Sequence, residues 1–546
     1  MTPRPSTPSL PAPRSAALPA ALAGVLAVGA ALAAGEFVAG LVAGVPSPLV
    51  AISQAIVDYQ PPGAKDFVVA LFGTNDKLAL QVFVVLVALV IGAIVGDQAR
   101  RRGEGLATTV IAVFAAIGFL ASLRDPTAIL VFAGLAAAVE TLVGSWVLGW
   151  LVQAIAPAAV PATGPANAAG GGRGKRAKVT ATPRGGMPDW TRRRLLVRGS
   201  TVAVGAVAAA AIGRALVNRA HTPAPAGTLP DPAQPAALPA GADIATADLT
   251  SDGLTPIVMP NDSFYRIDTA LLPPSVDVKT WSLRIHGLVD RETVLTYDQL
   301  TSLPIIEQFT TIACVSNEVG GDLVGNAAWR GVELRRVLAM AGVQSSATQL
   351  VGRSVDGFTV GMPVAWVMDQ SRTPMIAIGM NGQPLPQLHG YPARLIVPGL
   401  YGYVSATKWL SELELTTLEA FDAYWVGLGW AKEAPILTQA RIDVPRNGTS
   451  VSAGAQPIAG VAWAPDRGID RVEVSIDGGA WQAAQLSAAI SKATWVQWLV
   501  SWNATPGDHT IEVRATDGTG ALQADTVTTP FPDGARGHHR VSVRVG

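Results

Sequence analysis

At 546 residues the chain is longer than one ordinary domain. With 49% hydrophobic and 15% charged residues and a mean hydropathy of +0.34, it is too apolar for a typical water-soluble protein. Its 40 Lys and Arg balance its 40 Asp and Glu, so no basic excess points to nucleic acid, and its single cysteine excludes a disulfide framework.

Residues 1–156 are expected to form a four-helix transmembrane region. Before residue 16 the chain is rich in Pro, Ser and Thr and reads as a disordered tail. Apolar runs at 16–45, 78–96, 106–123 and 127–155 are each long enough to span a bilayer. The stretch 67–72 is apolar but too short, and reads as interfacial or re-entrant. Arg100, Arg101 and Arg102 follow the second run, and Arg173, Lys175, Arg176, Lys178 and Arg184 follow the fourth. A cytoplasmic N-terminus puts every basic loop on the cytoplasmic side. Glu36 and Glu140 fall inside apolar runs, where a carboxylate either serves a function or faces the bundle interior. No histidine precedes His221, so these runs lack the ligands of a bis-histidine haem.

Residues 157–190 form a Gly/Ala/Pro-rich basic linker, expected to be flexible. At 191–218 the segment Thr191-Arg-Arg-Arg-Leu-Leu196 leads into an Ala-rich apolar run. It reads either as a fifth transmembrane helix with its positive anchor or as a Tat-like signal anchor. Both readings place the rest of the chain outside the cytoplasm. Residues 219–255 form a second, Pro/Ala-rich linker.

Residues 256–434 change character, with aromatic residues, turn signals and short alternating runs. At 309–312 a β-branched, threonine-rich strand delivers Cys314 to a polar, glycine-rich loop at 316–326. A thiol at that place is a buried inert group, a nucleophile or a soft metal ligand. Residues 435–546 alternate with a two-residue period. The run at 471–477 is followed by Gly478-Gly479, a hairpin turn. About seven short strands in this length suggest an immunoglobulin-like sandwich.

The sequence then resembles the sulfite oxidase family of molybdopterin oxidoreductases. Four stretches carry the resemblance in order. They are Pro260-Asn-Asp-Ser-Phe-Tyr-Arg266, the cysteine window with Asn326-Ala-Ala-Trp-Arg-Gly331, Met380-Asn-Gly-Gln-Pro-Leu-Pro386 leading to His389-Gly-Tyr-Pro-Ala-Arg394, and Val397-Pro-Gly-Leu-Tyr-Gly402 leading to Lys408-Trp409. The resemblance covers about Met259 to the C-terminus and implies an α+β molybdopterin-binding domain and an all-β sandwich of the kind that mediates dimerisation; with the helical transmembrane bundle read above, these make the expected multidomain fold.

The cofactor implied is molybdenum–molybdopterin, with Cys314 as the metal ligand. Arg394 and Lys408 match the pterin-phosphate contacts, and Asp262, Tyr265, Arg266, Ser354, His389, Ser405 and Thr407 match other cofactor-contacting positions. Phe358 matches the place of a tyrosine near the metal, and Arg467 an arginine that reaches the site from the sandwich. Sulfite oxidases follow the cysteine with Gly-Asn-Arg-Arg; here Val315-Ser-Asn-Glu318 follows, and sulfite is disfavoured. The function expected is two-electron oxygen-atom transfer on a small-molecule substrate other than sulfite. The catalytic domain is extracytoplasmic and membrane-anchored, has a separate electron donor or acceptor, and pairs as a homodimer if the sandwich dimerises. The alternative is a cofactor-free envelope scaffold built on the same fold.

Overall fold

The computed structural model describes residues 17–60, 71–72, 75–155, 189–222, 229–236, 249 and 251–546. The expected tail before residue 16, most of 67–72, the linker at 157–188 and much of that at 219–255 lie outside the described residues. Two units result, Met1–His221 and Thr222–Gly546.

The helices of the first unit are α1 (Ala17–Leu41), α2 (Pro48–Tyr59), α3 (Asp76–Arg102), α4 (Glu104–Ser122), α5 (Leu130–Ile155) and α6 (Asp189–Ala220). Among the described residues, all of these but α2 contain a stretch long and apolar enough to cross a membrane. Small residues let α1 approach its neighbours closely. A methyl on Gly24 would lie 1.9 Å from the Gly92 carbonyl oxygen, and one on Gly96 would lie 2.0 Å from that of Ala20. The expected first span at 16–45 is too long: α1 ends at Leu41, and α2 is an element the apolar pattern alone does not reveal. Its signal is local. Ser47 caps it by accepting from the Val50 amide at 3.2 Å, and Pro48 opens the helix. The Ser47 hydroxyl also donates to Glu36 at 2.5 Å, and the Leu49 amide donates to the same oxygen at 3.2 Å. Both acids singled out in the sequence, Glu36 and Glu140, are buried inside the unit.

In the second unit, ten strands build the two sheets of its first domain. They are β1 (Ser282–Gly287), β2 (Thr293–Thr296), β3 (Ile305–Ala313), β4 (Val324–Glu333), β5 (Gln349–Ser354), β6 (Thr359–Pro363), β7 (Met375–Met380), β8 (Gln383–Pro384), β9 (Arg394–Ile396) and β10 (Leu410–Thr416). One sheet runs β3-β4-β7-β8 with β9 also on β7; the other runs β2-β1-β10-β5-β6. Among the described pairings of these ten strands with one another, only β1 and β10 run in parallel. A helix at Leu334–Ala341 buries Leu334, Val337, Leu338 and Ala341 at helical spacing between the sheets. These residues join Leu283, Ile285, Leu350, Leu395 and Leu413 in one core.

The sandwich follows as β11 (Gln439–Val444), β12 (Ser450–Val451), β13 (Gly454–Trp463), β14 (Ile469–Ile476), β15 (Gln482–Ala483), β16 (Gln485–Leu486), β17 (Val496–Ala504), β18 (Gly507–Asp517) and β19 (His539–Val545). Its sheets run β11-β13-β17-β16 and β12-β19-β18-β14-β15. Two-residue edge strands such as β12 and β15 escape a periodicity count, hence the lower expectation of seven. The expected turn is present: Asp477 and Gly478 take φ of 52° and 70° between β14 and β15. The sandwich is seated on the strand that carries the cysteine. Thr311 donates its amide to Ala493 O at 2.9 Å and accepts the Trp495 amide on its hydroxyl at 2.8 Å. Val461, Trp463 and Trp495 complete this hydrophobic core from the sandwich side.

Candidate active site

The register of β3 on β4 pairs Ala313 with Val324, so the hairpin ends there and Cys314 is the first residue of its loop. The loop folds back on itself. Cys314 donates its amide to Leu323 O at 2.9 Å, and Asn317 Oδ1 accepts the Leu323 amide at 2.8 Å. Cys314 is a free cysteine, and the residue is 9% exposed.

A second wall comes from the turn at 260–268. Phe264 packs edge-on to Trp329 and to His389, with ring centroids 5.9 and 5.7 Å apart, and stacks on Tyr265 at 5.3 Å. Gly325 must lack a side chain here, since a methyl would sit 2.7 Å from the Phe264 ring. Burial pushes the Tyr265 phenol far above its ordinary value; the Cys314 thiol adds to that rise and the Arg394 guanidinium opposes it. One phenol therefore lies within electrostatic reach of both the thiol and the guanidinium.

Arg394 opens β9 and is 3% exposed. It donates Nη1 to His389 O at 3.0 Å, and its guanidinium carbon stands 4.9 Å from the Trp329 ring centroid. Its Nε is buried without a partner. Burial lowers its pKa to about 10, with Tyr265 opposing. His389 donates Nε2–H to Asn261 O at 2.8 Å, which leaves Nδ1 as an acceptor. Burial, then the Arg394 charge, holds this imidazole at about 4, so it is neutral at pH 7.

Lys408 enters from the segment between β9 and β10. Its Nζ donates to Asp268 Oδ2 at 3.1 Å, and Arg266 Nε donates to the same oxygen at 3.2 Å. Burial lowers Lys408 to about 8, with Asp268 opposing. Two tight backbone positions hold the lysine. Gly390 takes φ of 109°, and a methyl on it would stand 3.0 Å from the Lys408 Cα, while Trp409 takes φ of 49° and is locked by burial and by its Nε1 bond to Gln387 O at 2.9 Å. Thr407 is fully buried beside this lysine and its hydroxyl has no partner.

The structure thus brings together Cys314, Tyr265, Arg266, His389, Arg394, Thr407 and Lys408. Ser354 lies close by: its hydroxyl accepts the Asp356 amide at 3.4 Å, and the Asp356 carboxyl is raised by burial and, among smaller causes, by the charge of Asp268. The other expected positions differ. Asp262 is exposed on the turn, and its neighbour Asn261 makes the contacts. The Ser405 hydroxyl shares its proton between two preceding carbonyls, Leu400 O and Tyr401 O at 3.1 and 2.9 Å, so its proton is committed to the backbone. Phe358 packs on Tyr424 at 5.5 Å within an aromatic train.

Arg467 is not drawn to the cluster. It pairs with Asp517 at 2.8 Å and donates to Ile436 O at 2.9 Å and Thr438 Oγ1 at 3.2 Å, all within or beside the sandwich. An acid inside its own domain outcompetes a distant site. The sequence reading missed Asp268, Trp329 and Asn261. Only Asp268 carries a chemical signal, a lone acid two residues after Arg266.

A thiol at a strand end, two buried cations and partnerless buried donors define a domain built to hold a metal–pterin group. Residues 270–425 match the family model described as oxidoreductase molybdopterin binding domain, and residues 439–513 that of a bacterial Ig domain. Mitochondrial sulfite oxidase of Homo sapiens is 29% identical over 320 residues, covering 50% of this chain and 58% of that protein. The uncharacterized oxidoreductase YuiH of Bacillus subtilis (strain 168) is 30% identical over 168 residues, 31% of this chain and 81% of that protein. Among solved structures, the sulfane dehydrogenase SoxCD from Paracoccus pantotrophus is 24% identical, covers 50% of this chain and 76% of that chain, and has a TM-score of 0.45. The chain belongs to the sulfite oxidase family of molybdopterin oxidoreductases. It spans little more than half the length of the human enzyme it matches. The family's cofactor is molybdenum–molybdopterin, and the residues present fit it. Arg394 Nε and the Thr407 hydroxyl are buried polar atoms lacking a partner, which an anionic, hydrogen-bonding group supplies.

Proposed function

We propose that this chain is a membrane-anchored enzyme that moves one oxygen atom between a small substrate and water, with two electrons passing to or from a separate partner. In the oxidative direction water supplies the oxygen and two protons are released; the reductive direction reverses this. The bound cofactor supplies the two-electron redox step and the oxygen-transfer centre. Cys314 would hold the metal as a thiolate, a soft anionic donor suited to a high oxidation state. Arg394 and Lys408 would clamp the pterin phosphate, the arginine through its fork and the lysine as a point charge. His389, neutral with Nδ1 open, would accept a hydrogen bond from the pterin. Tyr265, stacked on Phe264 and with its phenol held neutral by burial, would supply a hydroxyl donor without ionising. The buried, unpartnered Arg394 Nε and Thr407 hydroxyl, which an anionic group would satisfy, carry the reading.

Sulfite is not the substrate we propose. An anion is drawn by positive charge near the metal, and here Glu318 is exposed on the cysteine loop while Arg467 is held by Asp517. The basic residues at the end of α3 and before α6 support an N-terminus in the cytoplasm and the second unit on the opposite side. The sandwich supports a homodimer reading by its resemblance alone.

The test is metal analysis of the purified full chain. Molybdenum near one per chain is expected in the wild type, with a large loss in Cys314→Ser. Absence of molybdenum from the wild type, or equal content in the variant, sinks the assignment. A screen of sulfoxides, sulfite, nitrate and chlorate with a viologen dye then addresses the substrate.

A further inference from the structure

The cysteine loop is held from outside its own domain. Arg441 of β11 is 8% exposed and fully engaged. It donates Nη1 to Gly321 O of the loop at 2.9 Å, Nη2 to Thr255 Oγ1 at 2.8 Å and Nε to Asp443 Oδ1 at 2.7 Å. Asp443 closes the ring by accepting the Thr255 amide at 3.1 Å. From β19, His539 accepts the Ile442 amide on Nδ1 at 3.0 Å and lays its ring on Gly320. Gly320 takes φ of 78°, and a methyl there would stand 2.2 Å from the His539 Cδ2. Only glycine meets both demands. Gly321 is equally tight, its methyl position 2.6 Å from Asn317 Oδ1, the oxygen that ties the loop to Leu323 and so to the Cys314 amide. A chain of direct contacts therefore runs from two sandwich strands to the backbone of the cysteine.

We propose that Arg441 and His539 are positioning residues that set the conformation of the Cys314 loop, so that the sandwich serves the catalytic domain as a clamp on its cysteine. This deepens the reading of Cys314 given above, on which its significance for catalysis rests. The mechanism is pre-organisation. A glycine-rich loop of this length samples many conformers, and fixing it beforehand removes that entropy from cofactor binding. Burial, followed by the Arg441 charge, lowers the His539 imidazole below its ordinary value, which keeps Nδ1 unprotonated as an acceptor. Arginine suits the role because its planar fork satisfies carbonyl, hydroxyl and carboxylate at once.

The test uses the full chain in detergent, produced without cofactor, so that Cys314 is the sole alkylation site. Iodoacetamide labelling is followed by intact mass, and amide hydrogen exchange is followed in parallel. Arg441→Met and His539→Ala are expected to speed labelling about tenfold and to raise exchange chiefly at 314–323. Arg441→Lys should restore part of the wild-type rate. Arg544→Met, which removes only an exposed pair with Asp508, should label as wild type. Wild-type labelling in both clamp variants overturns the proposal. So does exchange that rises throughout the second unit, since the residues would then be merely structural. No metal enters this assay, so its failure is separate from a failure of the molybdenum reading.

Discussion

Asp268 holds two cations on one oxygen: Lys408 Nζ at 3.1 Å and Arg266 Nε at 3.2 Å. The side chains of Asp268 and Lys408 are 6% and 11% exposed, so the pair is shielded from screening by solvent. In the cofactor-free chain this acid is the counter-charge of Lys408. Asp268→Asn should therefore destabilise the cofactor-free chain by about 1–3 kcal/mol, since the lysine is left without its counter-charge. Millimolar phosphate should return most of that loss. Thermal unfolding of the cofactor-free full chain with and without phosphate checks both, and a variant insensitive to phosphate would count against the clamp.

The lysine also sets a pH limit. Its folded value of about 8 lies below its ordinary 10.5, and a bound dianion would raise it again. Phosphate binding between these values takes up a proton, and affinity falls as pH rises through about 8. Titration calorimetry on the cofactor-free chain at pH 7.5 and 9.5, in buffers of different ionisation heat, measures the affinity change and the proton uptake. Lys408→Arg should flatten the dependence, because a guanidinium stays charged.

His389 contributes the opposite end of the pH range. Its folded value is about 4 against 6.5 in the unfolded chain, so the unfolded state binds more protons between them. Stability from the neutral imidazole is complete above pH 6.5 and is lost as pH falls towards 4. The full loss is about 3 kcal/mol by linkage. Urea unfolding at pH 7.5 and 4.5 should show a smaller pH dependence in His389→Gln than in the wild type.

The helical unit has its own test. Gly24 and Gly96 let α1 and α3 touch backbone to backbone. Gly96→Leu should force those helices apart and lower the melting temperature of the unit in detergent. Gly105→Leu, at a position with open space around it, should not.

Much of this protein was legible in one dimension. Four of the long helices follow from apolar length, because a membrane span is a property of consecutive residues. The sandwich strands follow from a two-residue period, and the family from four ordered motifs around Cys314, His389, Arg394 and Lys408. Short-range rules missed α2, whose only announcement is Ser47-Pro48 after an apolar run. The tertiary structure alone decided which ions pair. It turned Arg467 towards Asp517 in the sandwich, committed the Ser405 proton to nearby backbone carbonyls and placed Asp268 against a lysine 140 residues away. Charge pairing depends on distance through space and on exclusion of water, and neither quantity is written in residue order.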